Sequence, residues 1–195
     1  MNDTVFNQDY WDNRWKNQET GWDIGQVSPA LAHYFQQIVP KTVRLLIPGC
    51  GNAHEAMLLV KMGFTNITLL DISPTLVADL RQKLAQTSVK IICSDFFEHQ
   101  GEYDYIIEQT FFCALHPSLR SHYAQKMAEL LAKKGKLAGL LFNKDFGNPT
   151  PPFGGSIAEY EQLFSPYFDI HHLAHTDLSI TPRKGTEVFF EASKK

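Results

Sequence analysis

The 195-residue chain is poor in cysteine: Cys50, Cys93 and Cys113 are the only three, and no two form a Cys-x-x-Cys pair. An odd count without that spacing argues against a disulfide framework or a zinc knuckle, so no metal site is expected. Nor is there an apolar run near the ~20 residues that cross a bilayer. The opening residues, MNDTVFNQDYWDN, are too polar and acidic for a cleavable secretory leader. An excess of charge of one sign is also missing. Eighteen basic against 21 acidic residues leave a net charge of -3, so no broad cationic face for nucleic acid is expected. What remains is about one domain's length with 44% apolar and 20% charged residues, enough to bury a core unaided. The expectation is one cytoplasmic domain, a monomer or weak dimer, that works on a small molecule and touches neither nucleic acid nor membrane. Its oddity lies in the aromatic residues, for all three tryptophans fall within the first 22 positions.

Apolar periodicity separates an N-terminal arm (1–40) from an alternating core (41–195). VRLLIP (43–48), ITLLD (67–71), VKIIC (89–93), YDYIIEQ (103–109) and KLAGLLFN (136–143) read as strands. Between them, AHEAMLLVKMGF repeats Ala53, Met57, Val60 and Phe64 at helical spacing, and Ser73-Pro74 opens a helix to about Leu84. SLRSHYAQKMAELLAKKG reads as a third helix stopped at Gly135. Alternation of this kind predicts an α/β, Rossmann-like fold whose mainly parallel sheet is covered by helices on both faces. The tail differs: after the short helix SIAEYEQLF, the strands FDIHHLAH and TEVFFEAS are joined too closely for a parallel crossover and should pair antiparallel. GNPTPPFGG (147–155) reads as a flexible loop. Alternation along FDIHHLAH puts His171 and His175 on one face and His172 on the other, a poor arrangement for a metal.

IPGCGNAHE lies where the first strand turns into a helix, and Gly49 and Gly51 allow the tight turn and close approach that a bound ligand needs. Asp71, twenty residues past Gly51, ends the second strand, where an acid in doubly wound folds accepts hydrogen bonds from ribose hydroxyls. Asp71 could instead cap the following helix, a role Ser73 could fill equally well. The third glycine of a dinucleotide fingerprint is replaced by His54, and there is no GxxxxGK[ST] for a nucleotide triphosphate. Both absences favour a nucleoside without a phosphate to cradle, and S-adenosyl-L-methionine has that form. Asp95 and Phe96, past the third strand, suit the amine and ring of an adenine, although Phe96 could equally be core. Cys50, at a helix N-terminus, is expected to be buried and unreactive.

YWDNRW (10–15), GWDIGQVSPAL (21–31), LLIPGCGNAHEA (45–56), Asp71, SDFF (94–97), IIEQTFFCALHP (106–117) and PPF (151–153) together resemble the thiopurine S-methyltransferase family, in particular its thiol and halide methyltransferase branch. The resemblance implies a seven-stranded class I methyltransferase sheet with an antiparallel last strand, an N-terminal helical lid and S-adenosylmethionine as methyl donor, with S-adenosyl-L-homocysteine as product. It also implies cofactor contacts from Trp11, Trp15, Trp22, Gly49, Gly51, Asp71, Asp95, Phe96 and Gln109. Gln109 departs from the family, whose thiol branch carries Tyr there and whose thiopurine branch carries Arg, so it supplies neither a phenol nor a cation.

Methyl transfer from a sulfonium requires a nucleophile placed in line with the methyl in a dry pocket. Indole faces can stabilise the sulfonium charge by cation–π attraction, and a four-residue spacing puts Trp11 and Trp15 on one helical face. The acceptor pocket is expected to be lined by the arm, Phe111, Phe112 and Phe153. His116 and Arg120 near its mouth are weak candidates for catalytic groups, while Asp12 and Arg14 read as solvated surface. The function expected is S-methylation of a small thiol, extending to halide or thiocyanate. A metalloid or thiopurine-like acceptor and a non-catalytic cofactor-binding module are the alternatives.

Overall fold

The computed structural model describes residues 6–195, so the first five residues of the polar opening stretch lie outside it. Two arm helices, α1 (Gln8–Lys16) and α2 (Pro29–Phe35), precede the alternating body. The body runs β1 (Leu45–Pro48), α3 (His54–Lys61), β2 (Ile67–Asp71), α4 (Pro74–Lys83), β3 (Lys90–Cys93) and β4 (Tyr103–Gln109). It continues with α5 (Arg120–Leu130), β5 (Leu131–Phe142), α6 (Ile157–Phe164), β6 (Phe168–His175) and β7 (Glu187–Lys194). The sheet has seven strands in the order β3-β2-β1-β4-β5-β7-β6. β1 to β5 pair in parallel, and β7 runs antiparallel between β5 and β6. The expected antiparallel tail pair is present, with β7 folded inside β6 rather than added at the edge.

Strand alternation divides the core in two. Leu46, Leu70, Ile106 and Leu137 face the layer containing α5 and α6, where Tyr123, Met127, Tyr160 and Phe164 are fully buried. Leu45, Ile47, Leu69 and Ile107 face the other layer, with Leu31, Phe35, Leu59 and Leu80 of α2, α3 and α4. In α3 the buried stripe is Ala56 and Leu59, while Met57 and Val60 are only half-buried. No helix among the described residues is long and apolar enough to cross a membrane.

Two expectations fail for local reasons. The helix expected to run to Gly135 ends at Leu130, because Leu131 turns extended to pair with Tyr103 at the start of β4. Lys134 (φ 61°) and Gly135 belong to an irregularity inside β5, and a Cβ on Gly135 would lie 2.9 Å from the Ala132 carbonyl oxygen. In β6 a bulge leaves His171 unpaired between Ile170 and His172, which resets the alternation. His171 meets Ser193 at 2.8 Å, His172 lies by Phe189 on the same face of β7, and His175 pairs with Val188 on the opposite one. His171 and His175 therefore do not share a face.

Candidate active site

The strand order reverses between β1 and β4, and in open α/β sheets such a switch point opens a crevice beyond the carboxyl ends of the strands. A cavity of about 1120 Å³ lies there, roofed by the arm. Pockets for one drug-sized ligand hold roughly 300–1,000 Å³, so this one has room for a nucleoside cofactor and a small acceptor together.

On the floor, Gly49 and Gly51 both adopt left-handed backbone, with φ of 55° and 49°. A Cβ on Gly51 would meet nothing within 4 Å, so its α-carbon opens onto free space. One on Gly49 would lie 2.4 Å from Cδ2 of Phe111, so glycine is required for the aromatic ring to sit against the loop. Asp71 is fixed by backbone donors, accepting from the amides of Ser73 at 3.0 Å and Gly51 at 3.4 Å. Ser73 caps α4 through its hydroxyl, which accepts from Leu76 N, so Asp71 is not needed as the cap. Burial outweighs these bonds and pushes the Asp71 carboxyl up to about 6. That buried carboxylate beside an open glycine cradle fits a ribose whose hydroxyls would replace lost solvation.

Asp95 is exposed at the rim, its side chain accepting from Phe97 N at 2.8 Å. Phe96 is both core and lining, packed against Phe111 with ring centroids 5.1 Å apart. Gln109 faces the cavity from the end of β4, and its Oε1 is buried with no partner. Cys50 is buried in the turn, and burial followed by the Asp71 charge pushes its thiol well up, which makes it unreactive.

The roof is clasped at three points. In α1, Asp12 is buried rather than solvated: it accepts from Ser73 Oγ at 2.7 Å and Thr75 N at 2.9 Å, and pairs with Lys16 at 2.7 Å. Burial alone would raise this carboxyl, but Lys16, Ser73 and Thr75 together hold it well below the usual range. Farther along, Asp23 accepts from Asn52, meets His54 Nε2 at 2.8 Å, and accepts from Gly25 N at 2.7 Å. His54, which displaces the third fingerprint glycine, thus serves as an anchor for the arm. From the opposite side, Arg183 donates to the Trp22 carbonyl at 2.8 Å while pairing with Glu187. Under these clasps all three tryptophans line the cavity, with Trp22 edge-on to Trp11 at 5.5 Å and to Trp15 at 5.7 Å.

Several expected acceptor-side residues stand elsewhere. Phe111 lines the cavity, but Phe112 does not: it is buried in the core against Tyr123, Tyr160 and Phe164. The turn after β4 is a tight 3-10 turn, so consecutive side chains diverge. Phe153 packs on Phe6 and His116, each at 5.7 Å, while Pro151 and Pro152 of its loop line the cavity instead. That loop is pinned by Phe153 N to Cys113 O at 2.7 Å and by a bridge between Lys144 and Gly155. His116 lies outside the lining, with Nδ1 bonded to Ser118 Oγ at 2.9 Å. Arg120 pairs with Glu159, donates to Gly154 O at 2.6 Å and covers the Phe112 ring at 4.9 Å. These contacts turn it away from the cavity and make it a staple. Arg120→Leu should cost about 1–3 kcal/mol in a denaturant melt, through loss of the Gly154 bond and of a pair buried only on the arginine side, while kcat/KM per folded molecule stays within about threefold.

Sequence reasoning missed part of the lining. Phe6, Tyr10, Lys144, Phe146 and Arg183 all reach the cavity, and Arg14, read as surface, does too. Lys144 sits on an isolated bridge and Arg183 in a 3-10 turn, and no motif marks either.

A model of the thiopurine S-methyltransferase family matches residues 6–194. A probable thiol methyltransferase 2 of Arabidopsis thaliana is 32% identical over 184 residues, covering 91% of this chain and 81% of that protein. Thiocyanate methyltransferase 1 of Brassica oleracea is 29% identical, with the same coverage of 91% and 81%. Among solved structures, the magnesium protoporphyrin IX methyltransferase of Synechocystis with bound S-adenosylhomocysteine superposes with a TM-score of 0.74 at 17% identity, covering 96% of this chain and 98% of that one. The fold, the glycine cradle beside a buried acid and the family match agree, and the chain belongs to the thiopurine S-methyltransferase family as an S-adenosylmethionine-dependent methyltransferase.

Proposed function

We propose that the protein S-methylates a small thiol that reacts as its thiolate, with thiocyanate or halide as further acceptors. One observation carries this reading. Among the described lining residues the one histidine, His54, is held by Asp23, the four carboxylates Asp23, Glu55, Asp71 and Asp95 each accept from a backbone amide, and Arg14, Lys144 and Arg183 are cations on the aromatic walls. With its histidine and carboxylates already engaged, such a site suits an acceptor that arrives ionised, as a thiolate or thiocyanate does, beside one of the three cations. The relatives named above, a thiol and a thiocyanate methyltransferase, lie in the same chemical class.

S-adenosylmethionine, when bound, supplies an electrophilic methyl on a sulfonium. Asp71 would accept from the ribose hydroxyls, Asp95 and Phe96 would hold the adenine, and Gln109 would bond the amino-acid portion through its unpartnered amide oxygen. Trp11, Trp15 and Trp22 would face the sulfonium and exclude water, which raises the reactivity of an anionic nucleophile. Phe111, with Pro151 and Pro152, would form the wall along which the acceptor aligns. The three free cysteines suit the reducing cytoplasm, where we place the protein as a monomer or weak dimer.

The test is a panel of thiols, thiocyanate, halides, selenite, tellurite and a thiopurine, incubated with methyl-labelled donor. Small thiols should take the label with the highest kcat/KM. Preference for selenite or the thiopurine would overturn the acceptor assignment while leaving the methyltransferase intact.

A further inference from the structure

Glu108 is a buried carboxylate that none of the steps above uses. It sits one residue before the end of β4, 1% exposed, and its Oε1 accepts from the backbone amides of both Phe111 and Phe112 at 2.7 Å. Those two bonds span a strained turn. Thr110 takes left-handed backbone at φ 60°, which costs a β-branched residue more than most. The turn is braced further by Thr110 Oγ1 donating to Gln109 O at 2.6 Å and by Cys113 Sγ donating to Thr110 O at 3.2 Å. The neighbouring strand makes room for this arrangement: Gly139 lies opposite Glu108 in the register, and a Cβ there would fall 2.5 Å from Glu108 Cβ. The turn then delivers the Phe111 ring onto Gly49, where a Cβ would come within 2.4 Å. A chain of direct contacts therefore runs from Glu108 through Phe111 to the cofactor loop.

We propose that Glu108 is a positioning residue for methyl transfer: by holding the Phe111 and Phe112 amides, it sets the acceptor wall against the Gly49 loop and so fixes the line of approach to the methyl. This inference rests on the reading of Phe111 as acceptor wall. Glu108 touches neither ligand and acts only through the turn.

The hold is also titratable. Burial pushes the Glu108 carboxyl up to about 7, against the pull of the Phe112 and Phe111 amides. Its Oε2 is buried without a partner. Cys113 in the turn, Tyr123 of α5 and Tyr160 of α6 all feel its charge, and Arg120 and Arg183 act on Cys113 in the same cluster. An ionised carboxylate binds amides more strongly than a neutral acid, so the turn should tighten as pH rises through about 7.

Two measurements on the full-length protein test this. In the first, the Phe111 and Phe112 amide resonances are followed by NMR from pH 5.5 to 8.5 in the wild type and in Glu108→Gln. Both should shift with one midpoint near 7 in the wild type and stay flat in the variant; amides that do not titrate together in the wild type would overturn the hold. In the second, kinetics use saturating donor and an aryl thiol acidic enough to remain ionised throughout that range. Glu108→Gln should lower kcat for transfer about tenfold at pH 8 and lose the rise near pH 7, with S-adenosylhomocysteine affinity within threefold of wild type. Glu108→Leu, if it folds, should lose more. Unchanged kcat with an unchanged profile, or equal losses in product binding and transfer, would overturn the positioning role. A wild-type protein that transfers no label to any thiol would refute the thiol reading, and the amide titration would then decide the claim about Glu108.

Discussion

Asp71→Ala should weaken S-adenosylhomocysteine binding by roughly 1–3 kcal/mol, or about fivefold to more than a hundredfold, through loss of charge-assisted ribose bonds. Isothermal titration at pH 7.5 measures it directly. The structure adds a pH dependence that the residue type alone does not imply. An unfolded aspartate titrates near 4, whereas burial holds Asp71 at about 6 in the folded protein. Between about pH 4 and 6 the native state therefore keeps a proton that the unfolded chain has released, so the unliganded fold loses stability across that window and carries the full cost of the buried charge above it. Ribose hydroxyls donating to the carboxylate recover part of that cost, so affinity should be greatest above pH 7 and fall as pH drops through 6. The limit is about tenfold per pH unit below that point. Asp71→Asn should bind weakly and without this slope. An affinity that is level from pH 5 to 8 in the wild type would show that Asp71 does not meet the ligand.

Trp22→Leu should separate a cation-binding role from a packing role. Trp22 is the middle ring of the three, edge-on to both Trp11 and Trp15, and its carbonyl takes the Arg183 clasp. Leucine keeps apolar bulk and the backbone carbonyl but removes the indole face. A desolvated cation–π contact is worth about 1–2 kcal/mol, so affinity for the sulfonium donor should fall about five- to thirtyfold. Affinity for the neutral thioether product should fall less than about threefold, because that species carries no charge on sulfur. Equal losses for donor and product would make the indole a packing element alone. A large drop in melting temperature with unchanged affinities would make the arm scaffold.

How far these features could be read from the sequence depended on whether their cause was local. The strands ITLLD and YDYIIEQ appear with their expected bounds because short apolar runs between turn signals leave little choice. That Gly49, Gly51 and Asp71 come together was legible because the glycines follow β1 and the acid ends β2, two strands paired in parallel. Asp12 was not legible: its partners Ser73 and Thr75 lie 61 and 63 residues away, and nothing nearby distinguishes it from the exposed Asp9. Phe112 was misplaced because a 3-10 turn does not announce its side-chain directions, and a carboxylate one residue before Gln109 decides them. Arg120 reads as a free cation near a pocket mouth until α6 supplies Glu159, 39 residues later. Long-range polar pairing, rather than hydrophobic pattern, accounts for most of what the sequence concealed.

The three clasps at Asp12, Asp23 and Arg183 give the tryptophan cluster its meaning. They bind the arm to the entrances of α3 and α4 and to the last hairpin, so the indoles roof the cavity, with Trp15 packed against the core as well. The cavity beneath joins aromatic walls with Arg14 of α1, Lys144 after β5 and Arg183 before β7, beside carboxylates already engaged by backbone amides.

The most direct test is transfer of a tritiated methyl from S-adenosylmethionine to a small aryl thiol by the purified protein at pH 8. The account requires radiolabel in the methyl thioether, with one equivalent of S-adenosylhomocysteine formed per label transferred, and loss of both in Asp71→Ala at sub-saturating donor. Saturable S-adenosylhomocysteine binding without label in any thiol product would contradict it.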